Sequence, residues 1–297
     1  MGNVAGGLLT ALVVMQHLGV AAAVALVSGL LLAALGAWGR LDWRLWAAGV
    51  AAAMMCGANL AAERDAFVLT TAQADYAVEE TGVARRLRVN GQNASREDGA
   101  GIGHAYIERI EDAVYGNLPE GRSARVLVVG TGGFTFGRGR PAELARIVYV
   151  DVDDRLGEVA DAFLGAARRS GTYVAVDGRA YLLRSEAKFD AIVLDAYADR
   201  TAMPGHLATR EFFALARSRL AKDGTLHMNL IVPPGADRLA ARIDRTLRSV
   251  FAWCSAEAVG DARRWHNRIY ACPRTGLDGD AAVYSDADTR ADVDAWR

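Results

Sequence analysis

The sequence predicts an α/β domain on a mostly parallel, doubly wound sheet, behind a small β-hairpin layer and an apolar N-terminal region. Three observations carry this. Short apolar runs alternate with helix-compatible stretches through residues 124–248, the pattern of strands covered by helices on both faces. Four of those runs end on glycine or aspartate: Gly130, Asp151, Asp177 and Asp195. Charge is also segregated. Of the 69 formal charges in the 297 residues, residues 1–62 carry only Arg40, Asp42 and Arg44.

The apolar region comes first. Residues 18–37 are uncharged, and about 20 apolar residues suffice to cross a hydrocarbon core. Residues 45–62 are a second candidate span, and residues 3–16 a shorter third. No Lys or Arg precedes Arg40, which excludes a secretory signal with its positive leading segment. Trp38, Trp43 and Trp46 bracket the loop between the stronger spans, where interfacial aromatics sit. The expectation is two or three transmembrane helices over residues 1–62, in the inner cell membrane, with the lipid bilayer as a partner. The net charge of −1 gives no footprint for nucleic acid.

Residues 63–121 form the next unit. Residues 76–80 and 86–89 alternate polar and apolar as half-buried strands do, and Asn90-Gly91 is a hairpin signal. Residues 104–115 read as an amphipathic helix with Ala105, Ile107, Ile110 and Val114 apolar, and with Tyr106 and Glu108 on it.

Residues 122–297 form the main domain. A strand at 126–129 leads into Gly130, Gly132 and Gly133, then a helix-compatible stretch, then a strand at 147–150 ending on Asp151. Glycines let the backbone turn sharply and approach a ligand, and an acid at the second strand tip accepts hydrogen bonds from ribose hydroxyls. The glycines do not spell GxGxxG, so a nucleoside site of the S-adenosylmethionine kind fits better than a dinucleotide site. Further strands are expected at 172–176, 189–194 and 225–232. Helices are expected at 209–220, with Thr209 as cap, and at 239–248, with a turn at Lys222-Asp223-Gly224. Two late runs, 250–259 and 268–272, carry Cys254 and Cys272, as a cross-strand pair or as buried thiols. The tail from residue 277 is expected to be solvated. No His/Cys cluster has metal-ligand spacing, and no Gly-x-Ser-x-Gly elbow is present.

VLVVGTGGFT, YVDVDD, VAVDGRAYL and FDAIVLDAYADRTAMPGHLATREFF, in that order, resemble the spermidine synthase family of polyamine aminopropyltransferases. The membrane-fused bacterial branch is the nearest likeness, over roughly residues 70–272. The resemblance implies a Rossmann-like, methyltransferase-type domain behind a small β domain. It implies decarboxylated S-adenosylmethionine or S-adenosylmethionine as cosubstrate, a small-molecule amine as acceptor, and no metal. Residue by residue, it puts Gly130, Gly132 and Gly133 in the nucleoside loop and Asp151 with Asp153 at the ribose. Asp177-Gly178 falls at the adenine, and Asp195 at the catalytic acid with Tyr106 beside it. Asp199, Glu108, His206 and Gln92 fall on the amine side. The position that holds an acid for the donor's amine in that family is Gly133 here, followed by Phe134. A homodimer is allowed. The soluble domain is expected in the cytoplasm, where such donors are made, although Arg40 and Arg44 in the short loop favour the opposite placement for two spans. Two other readings stand beside this one: a diverged enzyme of the same fold, such as a methyltransferase, and a non-catalytic nucleoside or polyamine sensor.

Overall fold

The computed structural model describes residues 67–82, 84–97, 104–164, 170–197, 203–261 and 263–274, with a few helical positions between 29 and 54. The expected spans, the tail from 277 and Asp199 thus lie outside the described residues, isolated positions apart. Among the described residues no helix is long and apolar enough to cross a membrane.

Strands β1 (Phe67–Thr70), β2 (Asp75–Thr81), β3 (Ala84–Val89) and β4 (Gln92–Glu97) form an antiparallel sheet in chain order. Alternation turns Tyr76, Val78 and Leu87 inward, all buried. The β3–β4 turn is Asn90-Gly91, with φ of 50° and 75°. Both are left-handed, as a two-residue turn matching the strand twist requires. Helix α1 (Ala105–Tyr115) follows and buries Ile107, Ile110, Glu111 and Val114, three or four residues apart on one stripe.

The main sheet holds seven strands: β5 (Ala124–Val129), β6 (Ala145–Asp151), β7 (Gly171–Ala175), β8 (Phe189–Leu194), β9 (Leu220–Val232), β10 (Ser255–Val259) and β11 (His266–Pro273). Their order is β10-β11-β9-β8-β5-β6-β7. β5 to β9 pair in parallel, and β11 runs antiparallel to both β9 and β10. The chain leaves β5 outward through β6 and β7, then returns to β8 on the other side of β5. Such a reversal opens a crevice at the strand C-termini.

Each central strand feeds two cores. Leu127, Val129, Ile192 and Leu194 pack with Leu182 of α3 (Gly178–Arg184), Phe212 of α4 (Arg210–Arg219) and Ile243 of α5 (Asp237–Arg248). Val126, Val128 and Val193 pack with Ile110 of α1, Val159 and Phe163 of α2 (Leu156–Leu164) and Leu87 of the β layer. Both sheet faces are therefore covered, which explains why these strands read as unbroken apolar runs. Thr209 caps α4 as expected, its hydroxyl accepting from the Phe212 N–H at 3.2 Å.

Two expected features are corrected. No helix links β5 to β6: residues 130–144 are turns throughout. Gly130, Gly132, Phe134, Gly137 and Gly139 all have positive φ, and Pro141 follows, so helical geometry is broken at nearly every step. Phe134 and Phe136 plug the core there instead. The segment is strapped to α1 by Gly137 N–H and Arg140, both donating to the buried Glu111. Secondly, residues 222–224 are not a turn ahead of the strand but lie inside β9, at a register irregularity between Phe189 and Ala191 of β8. A Cβ on Gly224 would stand 2.7 Å from the Phe189 carbonyl oxygen, so glycine is what lets β9 continue. Cys254 and Cys272, both buried, form a disulfide between the start of β10 and β11.

Candidate active site

The strand ends of the main sheet, the N-terminus of α1, β4 and the β10–β11 hairpin enclose one cavity of about 700 Å³. Gly130, Gly132, Asp151, Asp177, Gly178, Asp195, Tyr106, His206 and Gln92 all border it. Among the described residues three carboxylates line it, Asp151, Asp177 and Asp195, and no Lys or Arg does.

Gly130 ends β5 with φ 84°, and a Cβ there would lie 2.3 Å from the Asp195 carbonyl oxygen. Glycine alone permits the tips of β5 and β8 to meet. Next along, Thr131 N–H donates to Asp151 Oδ2 at 3.0 Å, while Val152 N–H donates to Oδ1 at 2.8 Å. Both oxygens are thus fixed by backbone. Burial still raises this carboxyl above its usual range, and those backbone donors oppose the rise. Because turns follow the glycines, no helix N-terminus faces the cavity there, so the main device for holding a pyrophosphate is missing.

Asp177 caps α3 through Oδ1, which accepts from Ala180 N–H at 2.8 Å, and its Oδ2 meets His206 Nε2 at 2.7 Å. His206 therefore stands at the α3 corner of the cavity, against the acid expected near adenine. Gly178 is needed for packing: a Cβ there would be 2.4 Å from Val129.

Asp195 follows β8, the strand paired with β5. Tyr106 of α1 donates to its Oδ2 at 3.0 Å and Asn229 of β9 to its Oδ1 at 2.8 Å. Burial pushes the Asp195 carboxyl up to about 6, with the Asn229 and Tyr106 hydrogen bonds pulling the other way. Burial, then Asp195 itself, holds the Tyr106 hydroxyl well above its ordinary value, so Tyr106 stays a donor. β8 stops at Leu194, opposite Met228. Beyond it the Tyr197 hydroxyl donates to the Asn229 carbonyl at 2.7 Å and accepts from Ile231 N–H at 2.9 Å.

Three sequence candidates lie elsewhere. Asp153 does not border the cavity. It is buried, and its Oδ2 accepts from Thr71 and from Tyr76, the latter at 2.9 Å, pinning the β layer to the main sheet. Glu108 is on α1 but not on the cavity wall. Gly133 is sealed beneath it: its N–H donates to Ser95 Oγ at 2.9 Å, and a Cβ would stand 2.6 Å from Phe163 and 2.8 Å from Ser95. Nothing in the sequence singled out Tyr197, Asn229 or Asn267. A polar residue in the largely apolar end of a strand, as Asn229 is in residues 228–232, was the available signal. Among the described residues no group of three or more His, Cys, Asp or Glu could hold a metal ion.

No protein-family model matches the chain. A probable polyamine aminopropyl transferase of Bifidobacterium longum is 30% identical over 132 residues, covering 43% of this chain and 29% of that one. The chain spans between 29% and 50% of the length of the curated relatives it matches. A crystal structure of a probable spermidine synthase from Corynebacterium glutamicum superposes with a TM-score of 0.60 at 19% identity, covering 76% of this chain and 86% of that one. A spermidine synthase in complex with the transition-state analogue AdoDATO gives 0.52 at 17% identity, covering 76% and 82%. These likenesses establish the Rossmann-like, methyltransferase-type fold.

Proposed function

We propose that this chain is a transferase of the polyamine aminopropyltransferase kind, moving an aminopropyl group from decarboxylated S-adenosylmethionine to an amine. The observation that carries this is Asp195: an ionisable acid at the tip of a central strand, over the glycine turn, in a cavity lined, among the described residues, by three carboxylates and no Lys or Arg. Such a lining favours cations, here a sulfonium and an amine, and disfavours a carboxylate-bearing ligand. The curated relatives' names and the sequence motifs support the same reading.

The residues fit a thioadenosine nucleoside. Gly130 and Gly132 border the cavity with bare backbone, Asp151 presents a backbone-fixed carboxylate to the ribose, and Asp177-Gly178 borders the base. The donor supplies a carbon activated by the adjacent positive sulfur. Asp195 accepts the proton that the attacking amine nitrogen sheds as its bond to that carbon forms and the carbon–sulfur bond breaks. A free amine is mostly protonated at pH 7, its pKa being about 10.4, so a carboxylate that attracts and then deprotonates it contributes on both counts. Tyr106 and Asn229 hold that carboxylate in place.

Gly133 favours a second reading within the fold. No acid can occupy the place that would hold the donor's amine, so methyl transfer from S-adenosylmethionine is the competitor. Mass spectrometry of the nucleoside product after incubation with each donor and putrescine separates them. Methylthioadenosine supports the proposal, S-adenosylhomocysteine supports methyl transfer, and no product from either donor sinks both.

Membrane anchoring through residues 1–62 belongs to this proposal and rests on their charge-free spans. Cytoplasmic placement of the domain requires Cys254 and Cys272 as thiols, whereas their disulfide requires an oxidising compartment. Digestion of the domain by protease added to intact cells decides the side.

A further inference from the structure

A chain of hydrogen bonds runs from Asp195 across β9 to β11 and ends at the cavity. Asn229 is fully buried; its Nδ2 donates to Asp195 Oδ1 at 2.8 Å, and its Oδ1 accepts from Asn267 Nδ2 at 2.9 Å. Asn229 pairs with Ile269, and Asn267 with Ile231. The two asparagines are therefore diagonal neighbours on one face of an antiparallel pair, a spacing that longer side chains bridge. Asn267 borders the cavity and is half-buried.

The chain has a direction, and Asp195 sets it. An ionised carboxylate only accepts, so Asn229 must turn its N–H₂ toward it. That leaves the Asn229 carbonyl facing β11, which in turn requires the N–H₂ of Asn267. What remains for the cavity is the Asn267 carbonyl, an acceptor. Were Asp195 protonated, both amides could reverse and show the cavity a donor.

We infer that Asn267 is a specificity-determining residue whose Oδ1, oriented through Asn229 by ionised Asp195, receives an N–H of a cationic amine substrate. This rests on the proposed amine chemistry at Asp195 and adds the residue and atom that recognise the amine. It also makes recognition conditional: the cavity end of the chain accepts a hydrogen bond only while the acid that will take the amine's proton is ready for it. Among the described residues, the titratable groups around this chain are Tyr106 of α1, with His104 stacked on it, Tyr197 after β8, His227 two residues before Asn229 on β9, His266 beside Asn267 on β11, and Glu257 of β10, which is paired with Arg109 of α1. Both tyrosines hold their protons, and burial lowers His227 to about 4 and lowers His104 too. Asp195 is the member of the hydrogen-bonded chain itself that changes charge, near pH 6.

The test is calorimetry of putrescine binding to the full chain saturated with methylthioadenosine. Asn267→Leu should weaken amine binding about ten- to a hundred-fold, the effect of losing one hydrogen bond to a charged donor. Nucleoside affinity should stay within about twofold, as the nucleoside subsite lies on the other strands. Wild-type amine affinity should fall about tenfold from pH 7 to pH 5 as Asp195 protonates and the chain reverses. Asn267→Ala serves if the leucine variant does not fold. Amine affinity unchanged in both apolar variants overturns the inference, and so does a wild-type amine affinity that does not change between pH 7 and pH 5. Amine binding by the wild type without any turnover would sink the proposed reaction while leaving this inference standing. Turnover with unchanged amine affinity in Asn267→Leu would do the reverse.

Discussion

Asp195→Asn should stabilise the protein while nearly abolishing its activity. The Asp195 carboxyl titrates at about 6 in the folded protein, against about 3.9 for an unperturbed aspartate. The folded state therefore binds a proton more readily than the unfolded state between those values. Stability falls as pH rises through that window, and the whole penalty is present above it. At pH 7 that difference corresponds to about 3 kcal/mol, and at pH 4 to less than about 1 kcal/mol. An amide fits the same place. Its oxygen can accept from Asn229 and its N–H₂ can face the Tyr106 oxygen, so the two hydrogen-bond partners are kept without a buried charge. The variant should gain about 1–3 kcal/mol at pH 7 and almost nothing at pH 4. Urea unfolding at both pH values, followed by tryptophan fluorescence, measures this. On the same protein, turnover with an amine acceptor should drop by about 10²–10⁴-fold, the usual worth of a general base, with nucleoside affinity little changed. If Asp195 were merely a turn or helix cap, the variant would lose about 1 kcal/mol and keep its turnover. A stability gain equal at pH 4 and pH 7 would refute the burial argument, and near-normal turnover would remove the base assignment.

The other predictions concern the walls of the cavity. Asp151→Ala should weaken methylthioadenosine binding about ten- to a hundred-fold, since a hydrogen bond to an ionised acceptor is worth about 1.5–3 kcal/mol; unchanged affinity by calorimetry would remove the ribose assignment. Gly133→Asp, which writes an acid into the glycine loop, should fail to strengthen donor binding and should destabilise by about 1–3 kcal/mol through overpacking against Phe163 and Ser95. Tighter donor binding by that variant would show that the seal opens. Tyr76→Phe removes one of the two hydroxyls on the buried Asp153 carboxylate and should cost about 1–3 kcal/mol in unfolding free energy. An unaltered urea midpoint would mean that the β layer is held by packing alone.

What the sequence displays and what it conceals differ in physical kind. Asp151, Asp177 and Asp195 were legible because each terminates an apolar run, and strand ends on one edge of a parallel sheet converge by topology. Tyr106 was legible only through the family resemblance, since nothing in residues 104–115 says that α1 lies over β8. The missing helix after Gly133 was written in Gly137, Gly139 and Pro141, and a reading fixed on the strand–glycine–strand frame passed over them. Asp153 shows the opposite error. A second acid two residues after the first looks like part of the same site, but β6 ends at Asp151 and the chain bends at Val152, which carries Asp153 to the β layer. Asn229 and Asn267 stand furthest from view: their roles depend on β11 inserting antiparallel beside β9, and no local pattern states which strands pair. Yet both are amides, not acids. Asp195 is already raised by burial alone, and another carboxylate on it would raise it further and leave it protonated at pH 7. Neutral donors that orient the acid without adding charge are what a base working near neutral pH requires, and the two asparagines meet that requirement.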